Sequence, residues 1–150
     1  MIQIQKTALV PYSVHDMFKL VNNISDYPKF LPWCKSVVVH SRTESEVIAT
    51  INMGGAGLGQ SFTTTNVIKA DEFIEMRLLK GPFSHLQGRW DFRALGETGC
   101  KISLKMEFAI SNRLLRLSLE PLFSKIANNF VDTFVQQADK LYGKSGTLGG

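Results

Sequence analysis

The feature that most constrains the fold is a long apolar stripe near the end of the chain, over residues 115–142. Large apolar side chains recur there at spacings of three, four and seven residues, which is typical of an amphipathic α-helix. The stripe consists of Leu119, Leu122, Phe123, Ile126, Phe130, Phe134 and Leu141. Over residues 121–142 such a helix is roughly 33 Å long at 1.5 Å per residue. It needs a large apolar surface to pack against, and the preceding residues indicate mainly β-strands.

Before this helix, apolar and polar residues alternate over several short stretches, which is the pattern of half-buried strands. A first strand is predicted for Ile2–Val10, and a capping pattern at Ser13 predicts a short helix that ends near Asn22. Residues 25–29 allow one more helical turn. The further strands are predicted at residues 35–42, 46–53, 60–69, 73–80, 85–95 and 100–110.

Consecutive strands joined by short turns predict an antiparallel meander. The order is β-α-α-β-β-β-β-β-β-α, an α+β protein whose curved seven-stranded sheet holds the last helix on its concave face. Asn112 offers a cap for that helix, and Pro121 predicts a kink or a fresh helix start. We predict one domain over residues 1–142 and a flexible tail over residues 143–150. The glycine-rich residues 54–59 predict a flexible connection.

Composition narrows the class of protein. The net charge of +4 favours polyanions or an anionic membrane face only weakly, because the lysines and arginines are scattered. Cys34 and Cys100 lie far apart, so we expect reduced thiols and no metal site. No apolar run reaches the length of a membrane span. We therefore expect a cytoplasmic protein without a DNA partner, and leave open a peripheral contact at the inner face of the membrane.

No pattern of residues indicates catalysis. The glycine-rich stretch lacks the spacing and the following lysine of a phosphate-binding loop. The three histidines are isolated in the sequence, and the carboxylates of the predicted strands form no acid–base pair. We predict no catalytic residue, no metal, no required cofactor and no enzymatic activity.

Small and large residues alternate on the predicted inner faces of the strands. Ala49, Gly88 and Cys100 fall in register with large residues such as Trp90 and Met106. This pattern allows a hollow between sheet and helix, but on composition alone it favours neighbouring side chains that fill the space.

One stretch carries a family resemblance. Residues 27–34 read Tyr-Pro-Lys-Phe-Leu-Pro-Trp-Cys, which resembles the Tyr-Pro-x-Phe-Leu-Pro-x-Cys signature of the coenzyme Q-binding and RatA-type family. That family belongs to the START-like, polyketide cyclase/dehydrase and lipid transport superfamily. Residues 7–13, 62–66, 81–83 and 86–92 resemble further family stretches in the expected order. The resemblance extends over about residues 2–142.

The resemblance implies a helix-grip fold, in which a curved antiparallel sheet holds a long C-terminal helix around a hydrophobic tunnel. Some members bind ubiquinone or its isoprenoid tail and assist respiratory electron transport. Others, the ribosome association toxins, bind the large ribosomal subunit and block its joining with the small one. We predict first a carrier or chaperone of ubiquinone or another polyprenyl lipid, because each buried methylene contributes about 0.8 kcal/mol. Ribosome binding is the alternative.

The two functions need different residues. For the tunnel we predict Phe30, Leu31, Trp33, Met53, Phe62, Thr64, Asn66, Trp90, Leu104, Met106, Phe123, Ile126, Phe130 and Phe134. The first three of these lie on a proline-bounded stretch, which forms either a mobile edge able to touch a membrane or a packed loop. Thr64 and Asn66 fit either face of their strand. For the ribosome we predict Lys35, Arg89, Arg93, Lys101, Lys105, Arg113 and Arg116, and such binding should weaken with salt.

Overall fold

Seven strands form one antiparallel sheet in the computed structural model, which describes residues 1–54 and 59–143. The strands are β1 (Ile2–Val10), β2 (Cys34–Arg42), β3 (Glu46–Met53), β4 (Ser61–Lys69), β5 (Phe73–Lys80), β6 (His85–Leu95) and β7 (Gly99–Ala109). Their spatial order is β1-β7-β6-β5-β4-β3-β2. Each strand from β2 to β7 therefore lies beside the next one in sequence, and β1 closes the far edge against β7. The predicted meander and element order are confirmed.

The helices are α1 (Val14–Asn22), α2 (Tyr27–Phe30) and α3 (Arg113–Ala138), with a 3₁₀ turn at Ile24–Asp26 and a π-helical turn at Asp139–Gly143. α1 begins as predicted, because the Asp16 N–H donates to Ser13 Oγ over 3.1 Å. The Tyr27 hydroxyl donates to the backbone oxygen of Val21, and its ring contacts Phe134 with centroids 5.3 Å apart. The short helices are thereby held against α3.

α3 begins at the predicted cap, where the Leu115 N–H donates to Asn112 Oδ1 over 3.1 Å. The helix continues through Pro121, so the fresh start at that residue is wrong. Pro121 is exposed, so its ring lies on the solvent side of the helix. The helix ends at Ala138, earlier than predicted. The assignment of Leu141 to the apolar stripe is also wrong, because this residue lies in the π-helical turn and is 50% exposed.

Burial along the strands follows the predicted alternation. On β6 the side chains of Leu86, Trp90 and Phe92 are buried, with Gly88 between them. Their neighbours in sequence face outward. α3 packs its buried side on this inner face, and its rings Phe130 and Phe134 contact Trp90 with centroids 5.8 and 5.3 Å apart.

The core consists of two clusters of buried side chains. One surrounds Trp90 and Phe134, and the other surrounds Phe108 and Phe123. Partly buried side chains that contact both clusters are Trp33, Ile51 and Met106. The single-domain boundary stays a prediction. The predicted connection at residues 55–58 and the predicted tail at residues 144–150 lie outside the described residues.

Candidate functional site

An apolar cavity lies between the inner face of the sheet and α3. Strands β3 to β7 line one side of it, α3 lines the other, and the segment before β2 contributes Tyr27 and Trp33. Its volume is about 60 Å³. One water molecule needs roughly 10–15 Å³, whereas ligand pockets commonly measure about 300–1,000 Å³. A hollow is present, but side chains fill most of the space beneath the sheet.

Two methionines occupy the room that Gly88 opens. A Cβ at Gly88 would lie 2.7 Å from Met76 Cε and 3.7 Å from Met106 Cε. Methionine side chains are unbranched and change rotamer at little cost. The size of the cavity therefore depends on the conformation of these two side chains.

Thr64, Asn66 and Trp90 are buried residues that bring polar atoms to the cavity wall. Thr64 and Asn66 point inward from β4, and Thr64 Oγ1 donates to Asn66 Oδ1 over 2.9 Å. This bond uses the amide oxygen of Asn66. Trp90 is 0% exposed, and its Nε1 lacks a hydrogen-bond partner within residues 1–54 and 59–143. The indole N–H of Trp90 is thus an unpaired buried donor in the cavity wall, and such donors are rare and costly.

The described cavity wall carries no Asp, Glu, His, Lys, Arg or Cys side chain. Its one titratable group is the Tyr27 hydroxyl, and burial raises the pKa of this group far above its ordinary value. An ionised guest would lose hydration there without a counter-charge, which costs more than hydrophobic burial returns. The wall therefore suits a neutral molecule, and it supplies no acid–base pair for catalysis.

The predicted tunnel residues divide into two sets. Those that line the cavity are Trp33, Phe62, Thr64, Asn66, Trp90, Met106, Phe123, Ile126 and Phe130. Those that do not line it are Phe30, Leu31, Met53, Leu104 and Phe134. Contact of the first set with a ligand stays a prediction.

The proline-bounded stretch agrees with a packed loop rather than a mobile edge. Leu31 is 1% exposed, the Phe30 ring lies 5.3 Å from the Phe134 ring, and the Trp33 ring lies 5.9 Å from the Phe130 ring. Met53, Leu104 and Phe134 are core residues with at most 2% exposure.

Sequence reasoning missed cavity residues from α1, the 3₁₀ turn, α2 and β5. These are Val21, Asn22, Ile24, Tyr27, Ile74 and Met76. The alternation along β5 already predicts that Ile74 and Met76 share its inner face. The helical residues gave no such signal, because only the folded chain brings α1 over the end of the sheet.

The predicted ribosome-binding cations fall into three separate places. Arg89, Arg93, Lys101 and Lys105 share the outer face of β6 and β7, where Arg93 lies opposite Lys101 and Arg89 opposite Lys105. Lys35 is on β2, at the other edge of the sheet, and Arg113 and Arg116 are on the first turns of α3.

Arg89 differs from its neighbours because it already forms ion pairs within the protein. Its side chain pairs with Asp91 over 3.1 Å and with Glu75 over 3.3 Å, and its guanidinium lies 4.3 Å from the centre of the Phe73 ring. Arg93, Lys101 and Lys105 form no ion pair within the described residues. These three cations are therefore the ones available to a partner on this face.

Other chemistry finds little support in the part of the chain that the structure describes. Over residues 1–54 and 59–143, no group of His, Cys, Asp and Glu side chains is placed to hold a metal ion. Cys34 and Cys100 are free, buried thiols, and burial raises the pKa of Cys34 to about 11. No helix within these ranges is long and apolar enough to cross a membrane.

Comparison with known proteins identifies the family. The model of the family "polyketide cyclase / dehydrase and lipid transport" matches residues 10–135, and the chain belongs to this family. A solved aromatase/cyclase from Streptomyces superposes with a TM-score of 0.81 at 14% identity, over 93% of this chain and 94% of that one. This likeness confirms the predicted START-like helix-grip fold.

Two of the curated relatives illustrate the functional names found among them. The "Ribosome association toxin RatA" of Pseudomonas aeruginosa is 45% identical over 93% of this chain and 97% of its own length. The mitochondrial "Coenzyme Q-binding protein COQ10" of Drosophila melanogaster is 28% identical, over 91% of this chain and 55% of its own. The order of similarity is thus the reverse of our first prediction, which put the quinone before the ribosome.

Proposed function

We propose that the chain is a ribosome association toxin, which binds the large ribosomal subunit and blocks its joining with the small one. The observation that carries the proposal is the 45% identity to a protein of that name over 97% of the relative's length. The function would operate in the cytoplasm, where ribosomal subunits meet, and it requires no catalysis.

The outer face of β6 and β7 is the surface that we assign to this binding. Arg93 and Lys101 lie directly opposite each other on neighbouring strands, and like charges in that position destabilise a sheet. A bound phosphate backbone would offset this repulsion. Ribosomal RNA is such a polyanion, and each phosphate contact adds to the salt dependence of binding.

The test is sedimentation of the purified protein with ribosomal subunits through sucrose gradients at increasing salt. We expect the protein to sediment with the large subunit at low salt and to reduce the population of joined ribosomes. The logarithm of the binding constant should fall linearly with the logarithm of the salt concentration. The triple variant Arg93→Gln/Lys101→Gln/Lys105→Gln should bind more weakly and with a shallower salt slope.

A matched control removes three charges elsewhere. Lys19, Lys125 and Lys140 are exposed and form no ion pair within the described residues, so their triple glutamine variant has the same net charge. Equal loss of binding in both variants would mean that net charge alone drives association. Sedimentation with neither subunit would remove the proposal.

A second candidate function is the binding of a neutral hydrophobic molecule in the cavity, with ubiquinone or another polyprenyl lipid as the first choice. The unpaired indole N–H of Trp90 in a largely apolar wall supports it, because a carbonyl oxygen could accept from this donor. The small volume of the cavity ranks lipid binding behind ribosome binding, because a polyprenyl tail enters only if Met76 and Met106 move. A role in respiratory electron transport would follow from such binding.

This candidate is tested by organic extraction of the purified protein and mass spectrometry, followed by titration with a short-chain quinone. The chain has two tryptophans, so the indole N–H signal of Trp90 in an NMR spectrum is assigned with a Trp33→Phe variant. We expect this signal to move downfield as the N–H gains an acceptor. A lipid-free extract together with an unmoved signal would eliminate the candidate.

A further inference from the structure

The first two turns of α3 expose two leucines that add nothing to the core. Leu114 is 79% exposed and Leu117 is 72% exposed. Their spacing of three residues puts them on the same side of the helix. Leu119 is buried on the other side and anchors this end of α3 in the core. Two adjacent leucines in water reduce solubility without stabilising the fold.

Two arginines accompany these leucines. Arg113 and Arg116 are exposed, and neither forms an ion pair with any residue in 1–54 or 59–143. The first turn of α3 carries no acidic residue, although the N-terminal end of a helix favours anions and disfavours cations. Glu120 is the nearest acid along the helix, four residues after Arg116. The two arginines therefore interact unfavourably with the dipole of the helix.

We propose that Arg113, Leu114, Arg116 and Leu117, here called the helix-end patch, dock the protein on an anionic lipid bilayer. The leucines would enter the boundary between headgroups and acyl chains, and the guanidinium groups would bind lipid phosphates. An anionic surface attracts each nearby arginine. The site is independent of the cavity and of the outer face of β6 and β7.

The size and composition of the helix-end patch favour a bilayer over a macromolecule. A stable protein interface buries roughly 800 Å² on each partner, which two leucines and two arginines do not supply. RNA offers phosphates for the arginines but no apolar phase for the leucines. A bilayer offers both and needs no matching pocket. So few inserted side chains give reversible binding, comparable to that of a single acyl anchor.

The test is co-sedimentation with vesicles of phosphatidylcholine that contain phosphatidylglycerol, against vesicles of phosphatidylcholine alone. We expect binding to the anionic vesicles that is at least tenfold stronger. The variant Arg113→Gln/Arg116→Gln should lose roughly fivefold in affinity for each arginine. The variant Leu114→Gln/Leu117→Gln should lose more than tenfold. Glutamine keeps a good helix propensity, so both variants should fold.

Matched controls replace two leucines or two cations elsewhere with glutamine. Leu9→Gln/Leu79→Gln changes two leucines that are 70% and 61% exposed on strands, and Lys19→Gln/Lys125→Gln removes two exposed cations. Both controls should bind the anionic vesicles as the wild type does. Equal losses in the controls, or no binding to anionic vesicles by the wild type, would overturn the proposal.

A label measures insertion directly. Cys34 and Cys100 are buried, so an environment-sensitive dye on a Leu117→Cys variant reports from the helix-end patch. We expect its emission to shift to the blue with anionic vesicles, and the same dye on Leu79→Cys to stay unshifted. If the helix-end variants instead lose binding to ribosomal subunits and keep binding to vesicles, the helix-end patch belongs to the ribosome interface and the proposal is wrong.

Discussion

Gly88 shows how a single residue sets the free volume beneath the sheet. It stands on the inner face of β6 between buried neighbours, and the space that it leaves is taken by the methyl groups of Met76 and Met106. The sequence placed Gly88 on this face through alternation. It could not give the volume, because that depends on the rotamers of two methionines.

A double-mutant cycle should reveal this contact. Met76→Ala removes a partly buried side chain and should lower the free energy of unfolding by about 2 kcal/mol. Gly88→Ala alone brings a Cβ to 2.7 Å from Met76 Cε and should cost up to about 1 kcal/mol as the methionine shifts. In the double variant the new methyl group enters vacated space. We expect its cost in urea unfolding to be smaller than the sum of the single costs by at least about 0.5 kcal/mol. Simple additivity would contradict the contact.

Tyr27 offers a second prediction at this scale, and it concerns pH. Burial raises the pKa of its hydroxyl far above the value of 10.0 expected in the unfolded chain. The folded state then holds a proton that the unfolded state loses, so this stabilisation is complete below about pH 10 and is lost as the pH rises. We expect the midpoint of urea unfolding to fall above pH 10, and to fall less steeply in Tyr27→Phe.

The same variant has a cost at neutral pH. Tyr27→Phe leaves the buried backbone oxygen of Val21 without its donor, which should reduce the free energy of unfolding by about 1–3 kcal/mol. An unchanged stability at pH 7 would mean that this oxygen finds another partner. An unchanged pH slope would assign the alkaline loss to other groups with raised pKa values, such as Tyr12 or Cys34.

At the scale of elements, the sequence was most informative where side-chain burial is regular. Strands with one buried and one solvated face alternate strictly, and β6 and β7 therefore appear in the structure almost where the pattern put them. The end of α3 was missed because a stripe of apolar residues does not reveal a change of helix type. Leu141 continues the spacing, yet the backbone turns to a π-helix at Asp139.

The cap of α3 gives a prediction for this scale. Asn112→Ala removes the acceptor of the Leu115 N–H and should lower the free energy of unfolding by about 1 kcal/mol. Asn128→Ala, on the exposed side of the same helix, is the control and should cost less, because alanine raises the helix propensity there. Chemical denaturation with an unchanged m-value would measure both. Equal costs would argue against the cap.

For the whole molecule, the sheet separates an apolar interior from a charged exterior. Alternation makes neighbours in sequence face opposite ways, so that Gly88 faces the cavity while Arg89 lies on the outer face. The sequence identifies the cations of the outer face, but it does not show which of them form ion pairs. Arg89 is neutralised by Asp91, two residues away, and by Glu75 on the neighbouring strand. The contact with Glu75 follows only from the pairing register of the two strands.

This separation predicts that the two candidate functions are independent. Gly88→Ala narrows the cavity, and its side chain does not reach the outer face. We expect it to weaken binding of a short-chain quinone at least twofold and to leave co-sedimentation with the large ribosomal subunit unchanged. A parallel loss of both activities would show that the cavity and the outer face communicate through the sheet.

The position of α3 after all seven strands in sequence affects how the protein folds. Chains are synthesised from the N-terminus, and parts that emerge first can begin to fold before the rest. The side of the sheet that becomes the core has no cover until residues 113–138 have left the exit tunnel. Docking of α3 is therefore the step at which this chain completes its core, and until then its exposed apolar strands are a natural target for chaperones.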